Sequence, residues 1–158
     1  MNVLVAVFSD TGNTLKVAEA IRSGLEAEMT RILTYTEPTY SEKGQEAYFR
    51  LRVPIKPCVT DLKDYSLLVL CCPDWRRSPP PAINEYIAQL QQAEGRKFAV
   101  AVTTGGSSGR RMIGLVRKDL EARGMVFVGS MVLRDTRVEA GDYEAPSLKF
   151  AREISEMV

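Results

Sequence analysis

The sequence Ser9-Asp10-Thr11-Gly12-Asn13-Thr14 decides the fold because of what lies on either side of it. Residues 3–8 before it are all apolar, which indicates a strand that is buried on both faces of a sheet. Residues 15–28 after it carry apolar side chains at helical spacing. A helix start presents backbone N–H groups and the positive end of the helix dipole, and both favour an anion. The stretch therefore predicts a phosphate site at a strand-to-helix turn.

The composition is that of a soluble globular protein with one domain over residues 1–158, 45% hydrophobic and 26% charged. No apolar run approaches the ~20 residues of a membrane helix, and a strand begins at once, so we expect a cytoplasmic protein without a signal peptide. The net charge of +1 argues against binding of nucleic acid through bulk charge. Because the sequence has no His, Ser-His and Cys-His catalysis and imidazole-bound metals are excluded. Three Cys without a CxxC pair disfavour a zinc site and a disulfide framework.

Strand and helix patterns alternate along the chain. Apolar strands are predicted at residues 3–8, 66–72, 97–103 and 125–133, with a weaker one at 31–36, and helices at 15–28, 82–92, 112–123 and 148–157. Apolar strands that alternate with helices form a parallel sheet that is covered on both faces. We therefore predict a three-layer α/β fold with five parallel strands in the order 2-1-3-4-5. Ligands of such a fold bind at the carboxyl ends of the strands, where the strand order reverses.

Three loops follow the first, third and fourth strands, and we expect them to converge at that edge: residues 9–14, 73–81 and 103–109. The first loop has hydroxyls and a glycine but no Lys or Arg, so hydrogen bonds and the helix dipole alone would hold its anion. Such a loop suits a monophosphate, since a triphosphate usually requires Lys and a magnesium ligand. Neither the Walker pattern nor GxGxxG occurs in the chain.

Two of these loops resemble those of the flavodoxin family. Residues 9–14 are similar to its phosphate-loop signature, Ser/Thr-x-Thr-Gly-Asn-Thr, and residues 73–81 resemble the Pro-x-Trp…Ser-Pro-Pro-Pro loop of one flavodoxin branch. The resemblance extends from the N-terminus to about Arg134. Flavodoxin has the strand order predicted above, with FMN at the switch point. The resemblance implies a non-covalently held FMN and electron transfer between redox partner proteins, without bond-making chemistry on a substrate.

An alternative function comes from related families of the same fold, which use NAD(P)H to reduce quinones or free flavins. We therefore expect an FMN electron carrier, with an NAD(P)H-dependent FMN-containing reductase as the alternative. A third hypothesis is a binding or regulatory module that kept the fold without the flavin. The sequence does not choose between a monomer and a homodimer.

The resemblance also implies which residues contact FMN. In the first loop they hold the phosphate, and in the other two they line the ring: Ser9, Asp10, Thr11, Gly12, Asn13, Thr14, Pro73, Asp74, Trp75, Arg76, Arg77, Ser78, Thr104, Gly105, Gly106 and Ser107. Trp75 is the expected stacking partner of the ring, and a loop tryptophan that closes the edge of the core is the alternative.

Two departures from the flavodoxin pattern concern the rim of the expected site. The third loop lacks the aromatic residue that covers the outer flavin face in many flavodoxins. That face is either open or covered by an aromatic residue of the long segment 37–62, namely Tyr40, Tyr48 or Phe49. The segment is longer than a usual connection and could be either a lid over the ring or a dimer contact.

The second departure is a basic rim formed by Arg76, Arg77, Arg110 and Arg111, in a family whose members are often strongly acidic. The rim would stabilise reduced FMN, attract an acidic partner or bind a phosphate of NADPH. A solvated surface without such a role is the alternative.

Overall fold

The computed structural model describes residues 2–36 and 51–158. The segment 37–50, which contains Tyr40, Tyr48 and Phe49, lies outside the described residues. The elements run in the order β1 Val3–Val7, α1 Asn13–Leu25, β2 Glu28–Arg31, β3 Leu67–Pro73, α2 Pro81–Gln89, β4 Lys97–Thr104, α3 Arg110–Glu121, β5 Val126–Arg134, α4 Asp135–Glu139 and α5 Glu144–Ser155.

The five strands form one parallel sheet in the order β2-β1-β3-β4-β5, which confirms the predicted topology. The reversal of strand order falls between β1 and β3. The first loop leaves the sheet at the end of β1, and the second loop leaves it at the end of the neighbouring β3. The topology thus places both loops at one edge of the sheet, beside the third loop at the end of β4.

The core lies on both faces of the sheet, because successive strand residues point to opposite sides. Val5, Val69 and Ala101 pack with α1 and α5 on one face. Leu4 and Leu70 pack with α2 and α3 on the other. Strands β1 and β3 are buried along their whole length, which explains their continuous apolar sequences and confirms the three-layer arrangement.

The position predicted for the second strand, residues 31–36, is wrong. Helix α1 ends at Leu25 because Glu26 adopts a left-handed φ of 50° and the Ala27 N–H donates to the Arg22 carbonyl over 3.0 Å. The helix therefore stops before residue 28, which the prediction had included in it, and β2 forms at Glu28–Arg31. Only one of its four residues is buried, and such an edge strand has little apolar signal to detect.

The C-terminal region also differs from the prediction. The short helix α4 was not expected, and α5 begins at Glu144, before the predicted start at residue 148. Within the described ranges, no helix is long and apolar enough to cross a membrane.

Candidate functional site

The first loop is organised by one hydroxyl and one glycine. Ser9 Oγ accepts hydrogen bonds from the N–H groups of Gly12 over 3.1 Å and Leu15 over 3.2 Å. Gly12 has a φ of +95°, which side-chain-bearing residues rarely adopt, and no atom lies within 4 Å of the position of a Cβ there. Helix α1 then begins without a side-chain cap and without an acidic residue in its first turn. Ser9 thus holds two of the N–H groups at this helix start, and an anion there would use the others.

Two buried side chains connect this loop to the strand ends around it. Thr14 Oγ1 lies 2.7 Å from Thr103 Oγ1, which joins the first loop to the end of β4. Asn13 Nδ2 donates to Asp135 Oδ1 over 3.3 Å and to Glu139 Oε1 over 3.2 Å, both on α4. The Asn13 amide nitrogen is thus engaged with α4, and two carboxylates lie beside the start of α1.

The second loop contains a tight turn with two arginines at its centre. The N–H groups and carbonyls of Trp75 and Ser78 hydrogen-bond to each other over 3.0 Å in both directions. Between them, Arg76 has a φ of 50° and Arg77 a φ of 61°. Two central residues with positive φ define a type I′ turn, whose usual sequence is Asn-Gly. A left-handed conformation costs an ordinary residue roughly 1–2 kcal/mol, so this turn is strained at two successive positions.

Arg111 fixes this turn from the neighbouring helix. Its Nη1 donates to the Arg77 carbonyl over 2.9 Å and to Ser78 Oγ over 2.7 Å. Ser78 is fully buried, so one end of this contact is anchored in the protein interior. Arg111 therefore links α3 to the second loop and holds the backbone that presents Arg77.

The second and third loops meet through Asp74. Its N–H donates to the Thr103 carbonyl over 2.9 Å, and its Oδ2 accepts a hydrogen bond from Ser107 Oγ. Ser107 also interacts with Thr104, whose Oγ1 accepts from the Ser107 N–H over 3.0 Å. The other carboxylate oxygen, Oδ1, is buried and has no hydrogen-bond partner in the described part of the chain. A buried acceptor without a donor is costly, so Asp74 is suited to a ligand that brings an N–H or O–H group.

A cavity of about 310 Å³ lies between these two loops. Its lining contains three arginines, one aspartate, two serines and one glycine: Asp74, Arg77, Ser107, Ser108, Gly109, Arg110 and Arg111. It contains three guanidinium groups and one carboxylate, and that carboxylate is held by Ser107. The cavity is therefore a positively charged recess beside Asp74.

Trp75 faces a different space. Its ring packs edge-to-face against Phe8, with centroids 5.6 Å apart and an interplanar angle of 75°. With Tyr35, Pro81 and Ala82 it lines an apolar cleft of about 270 Å³. This packing agrees with the alternative in which Trp75 closes the edge of the core. Its role as stacking partner of a ring stays a prediction.

The thiols of the chain are unsuited to nucleophilic chemistry. Burial raises the pKa of the Cys71 thiol to about 12, and burial also raises the pKa of Cys72 well above its ordinary value. Cys58 is half-buried and its pKa is raised for the same reason. Because the thiolate is the reactive form, these cysteines act as small core residues.

The structure places all the predicted site residues on the three loops or at the strand ends that carry them. Contacts through Thr14, Asp74 and Ser107 bring the loops together, whereas the Trp75 ring lies apart from the charged cavity. The sequence reasoning missed Asp135 and Glu139. It could have found Asp135, because this residue directly follows β5 and the carboxyl ends of parallel strands share one edge.

Solved structures with the same fold include flavoproteins and flavodoxins. A flavoprotein from Bacteroides uniformis superposes with a TM-score of 0.79 at 18% identity, over 96% of this chain and 97% of that one. A flavoprotein from Lactobacillus acidophilus, solved in complex with FMN, gives 0.73 at 19% identity, over 88% and 97%. A Megasphaera elsdenii flavodoxin gives 0.57 at 15% identity, over 93% and 98%. At these identities the similarity establishes the fold.

The family is established by the sequence itself. No curated protein matches this chain in sequence. The sequence model of the NADPH-dependent FMN reductases, however, matches residues 1–138, a range that includes all three loops. The chain thus belongs to the NADPH-dependent FMN reductase family, whose members have a flavodoxin-like fold, and its cofactor is FMN.

Proposed function

We propose that this protein is an oxidoreductase that binds FMN in the three loops and takes a hydride from NADPH to reduce a small acceptor. One observation carries the proposal: the NADPH-dependent FMN reductase model matches residues 1–138, and this match supports NADPH as the hydride donor. Among the described residues at the expected ring position, Arg76, Arg77, Gly105 and Gly106 are exposed, which favours access of a donor to the ring.

The first loop fits the phosphate end of FMN. The start of α1 provides backbone N–H groups beyond the two held by Ser9, and α1 itself has no acidic residue in its first turn. The carboxylates of Asp135 and Glu139 on α4 contact the Asn13 side chain at this helix start. The space beside Gly12 is open, so a ligand can approach its backbone closely. In this fit Ser9 keeps the loop in shape through its bonds to Gly12 and Leu15, and the N-terminus of α1 binds the phosphate.

The second and third loops fit the ring end. The FMN ring carries one imide N–H, a donor that needs an acceptor when it is buried. Asp74 Oδ1 is a buried acceptor without a partner in the described residues, and the same carboxylate is joined to the third loop through Ser107. We assign Asp74 the role of orienting the ring through this oxygen, with Ser107 holding the other oxygen in place.

FMN supplies the redox chemistry, since its ring accepts a hydride and gives electrons on in one or two steps. The chain supplies binding, orientation and electrostatics. We assign the residues of the site no covalent step with a substrate: the sequence has no His, and burial raises the pKa of the Cys71 and Cys72 thiols. The arginines of the second loop add positive potential at the rim, which favours negative charge on a reduced ring.

A second candidate function is that of an electron carrier between proteins. The exposed rim favours it as well, because electrons pass to a protein partner without that partner entering a pocket. A redox partner protein would then dock on the basic rim around Arg76 and Arg77. The partner protein and a homodimer remain predictions.

Anaerobic mixing with NADPH separates the two functions. The FMN-loaded protein is mixed with excess NADPH and with NADH in separate experiments, and the visible absorption band of the oxidised flavin is followed. A reductase loses the band within the mixing experiment without any added protein. A carrier keeps it until a separate flavoprotein reductase is added, and that result would overturn our proposal.

A further inference from the structure

We infer that the outer edge of β5 pairs antiparallel with β5 of a second copy of this chain, and this pairing is independent of the proposed function. Strand β5, Val126–Arg134, ends the sheet and pairs with β4 alone. Within residues 2–36 and 51–158, no backbone hydrogen bond from another segment reaches its outer side. Alternate N–H and C=O groups of a strand point to each side, so β5 presents a row of donors and acceptors that another strand could use.

The opposite edge of the sheet, β2, is protected against such pairing. It has four residues, with a charged and exposed residue at each end. The Val59 N–H donates to Thr30 Oγ1 over 3.0 Å, so a later segment lies beside this strand. Just beyond β2, the Lys56 N–H donates to the Leu33 carbonyl over 2.8 Å. Short length, charge and a covering segment are common means by which a protein prevents an edge strand from pairing with another chain.

Strand β5 has little of this protection. It has nine residues without a proline, and its one charged residue, Arg134, stands at its end. Val126 is 50% exposed, and Met131 and Val132 are half-buried, whereas β1 and β3 are buried along their whole length. The pairing with β4 skips Val128, a bulge that leaves residues 129–134 in regular register. A long, apolar and uncharged edge is typical of a strand that pairs with another chain.

A second copy of the chain matches this edge in both hydrophobicity and charge. Val132 packs against the core on the α3 side of the sheet, and Val128 and Met131 pack against the core on the α5 side. In an antiparallel pair the partner brings the same apolar residues to both faces, so each strand covers apolar surface of the other. The two Arg134 side chains lie at opposite ends of such a pair, and a net charge of +1 on each copy gives little repulsion.

Antiparallel pairing leaves both candidate FMN sites complete. The three loops lie at the carboxyl edge of the sheet. Because the strands of the second copy run in the opposite direction, its loops lie at the other edge of the joined sheet. Each copy therefore keeps its own three loops, and the pairing neither blocks nor shares a site.

The test measures the dissociation constant of the dimer by analytical ultracentrifugation, for the FMN-loaded wild-type protein, Ser130→Lys and a control, Ser23→Lys. Ser130 is the exposed middle residue of β5, so a lysine there brings like charges together in the pair. Ser23 is exposed on α1, and its substitution adds the same charge away from β5. We expect the wild-type protein to dimerise and Ser130→Lys to raise the dissociation constant by at least about tenfold, with Ser23→Lys within about twofold of wild type.

Hydrogen–deuterium exchange locates the contact on β5. The amides of residues 129–134 should exchange more slowly in the wild-type dimer than in Ser130→Lys at the same protein concentration, because pairing protects the outward N–H groups. FMN binding by Ser130→Lys shows that the variant folds, since Ser130 lies outside the three loops. If this variant does not fold, Ser130→Glu takes its place, because two carboxylates repel each other across the pair in the same way.

Three results would overturn the inference. A wild-type protein that is monomeric at every concentration has no such pairing, and its edge is then left to an extended peptide of another protein. A dimer that Ser130→Lys and Ser23→Lys weaken equally uses another surface. A dimer in which residues 129–134 exchange as fast as in the monomer does so as well.

Discussion

Replacing the two arginines of the second-loop turn by Asn and Gly should stabilise the protein while it weakens the basic rim. In the double substitution Arg76→Asn with Arg77→Gly, both left-handed positions receive residues that accept this conformation. Removing the strain should raise the free energy of unfolding by roughly 1–2 kcal/mol at each position. The greater freedom of glycine in the unfolded chain should lower it by about 0.4–1 kcal/mol. We expect the free energy of unfolding to rise by about 2 kcal/mol. The contact from Arg111 to the backbone carbonyl of residue 77 is kept.

Urea unfolding of the protein without FMN measures this gain, and thermal unfolding should show a rise in Tm of roughly 4–8 °C. Glu26→Gly is the matched control, because Glu26 has a φ of 50° at the end of α1, away from the three loops. It should gain a smaller amount and leave reduction by NADPH unchanged, whereas the double variant should require more NADPH. A double variant no more stable than the wild-type protein, beside a stabilised Glu26→Gly, would refute the argument from strain.

Three further outcomes follow from single positions. Gly12→Ala should lower the free energy of unfolding by about 1–2 kcal/mol, because Gly12 has a φ of +95°, and it should weaken FMN binding. Gly95→Ala is the control: its site is equally open with a φ of +81°, so it should lose similar stability and bind FMN normally. Equal FMN affinities of the two variants in fluorescence titrations would contradict this. Asp135→Ala should weaken FMN binding severalfold, since it removes the oxygen that accepts from Asn13 Nδ2, and an unchanged dissociation constant would exclude this positioning role. Because the pKa of Cys71 is raised from 9.0 to about 12 by burial, the unfolded chain loses this proton first as pH rises, so stability falls between pH 9 and 12. In urea unfolding at several pH values, Cys71→Ala should make that fall shallower by up to about 1.4 kcal/mol per pH unit, and an identical slope would count against the raised pKa.

The sheet was predictable because strands that are buried on both faces have continuously apolar sequences. Strands β1 and β3 are buried on both faces, so their sequences are continuously apolar and the predicted order is confirmed. Strand β2 is a half-exposed edge, and its position depends on where Glu26 ends the preceding helix. A left-handed residue other than glycine leaves no clear mark in the sequence, which is why the predicted strand was placed too late.

The site was predictable in its parts and less so in its contacts. Residue types after each strand located the three loops, since parallel strands end at one edge. The direction of the Trp75 ring, toward Phe8, depends on packing that no local pattern encodes. The left-handed turn at Arg76 and Arg77 was hidden because it lacks the Asn-Gly sequence typical of such turns. Which of these residues contact FMN stays a prediction.

The central claim is that the three loops hold FMN, with its phosphate at the start of α1. Equilibrium titration of the protein with FMN and with riboflavin, which lacks the phosphate, tests this claim most directly. Several backbone N–H groups and the helix dipole act on the phosphate alone, so FMN should bind at least about 100-fold more tightly than riboflavin, and Gly12→Ala should reduce that ratio. Equal affinities for the two flavins would contradict the account.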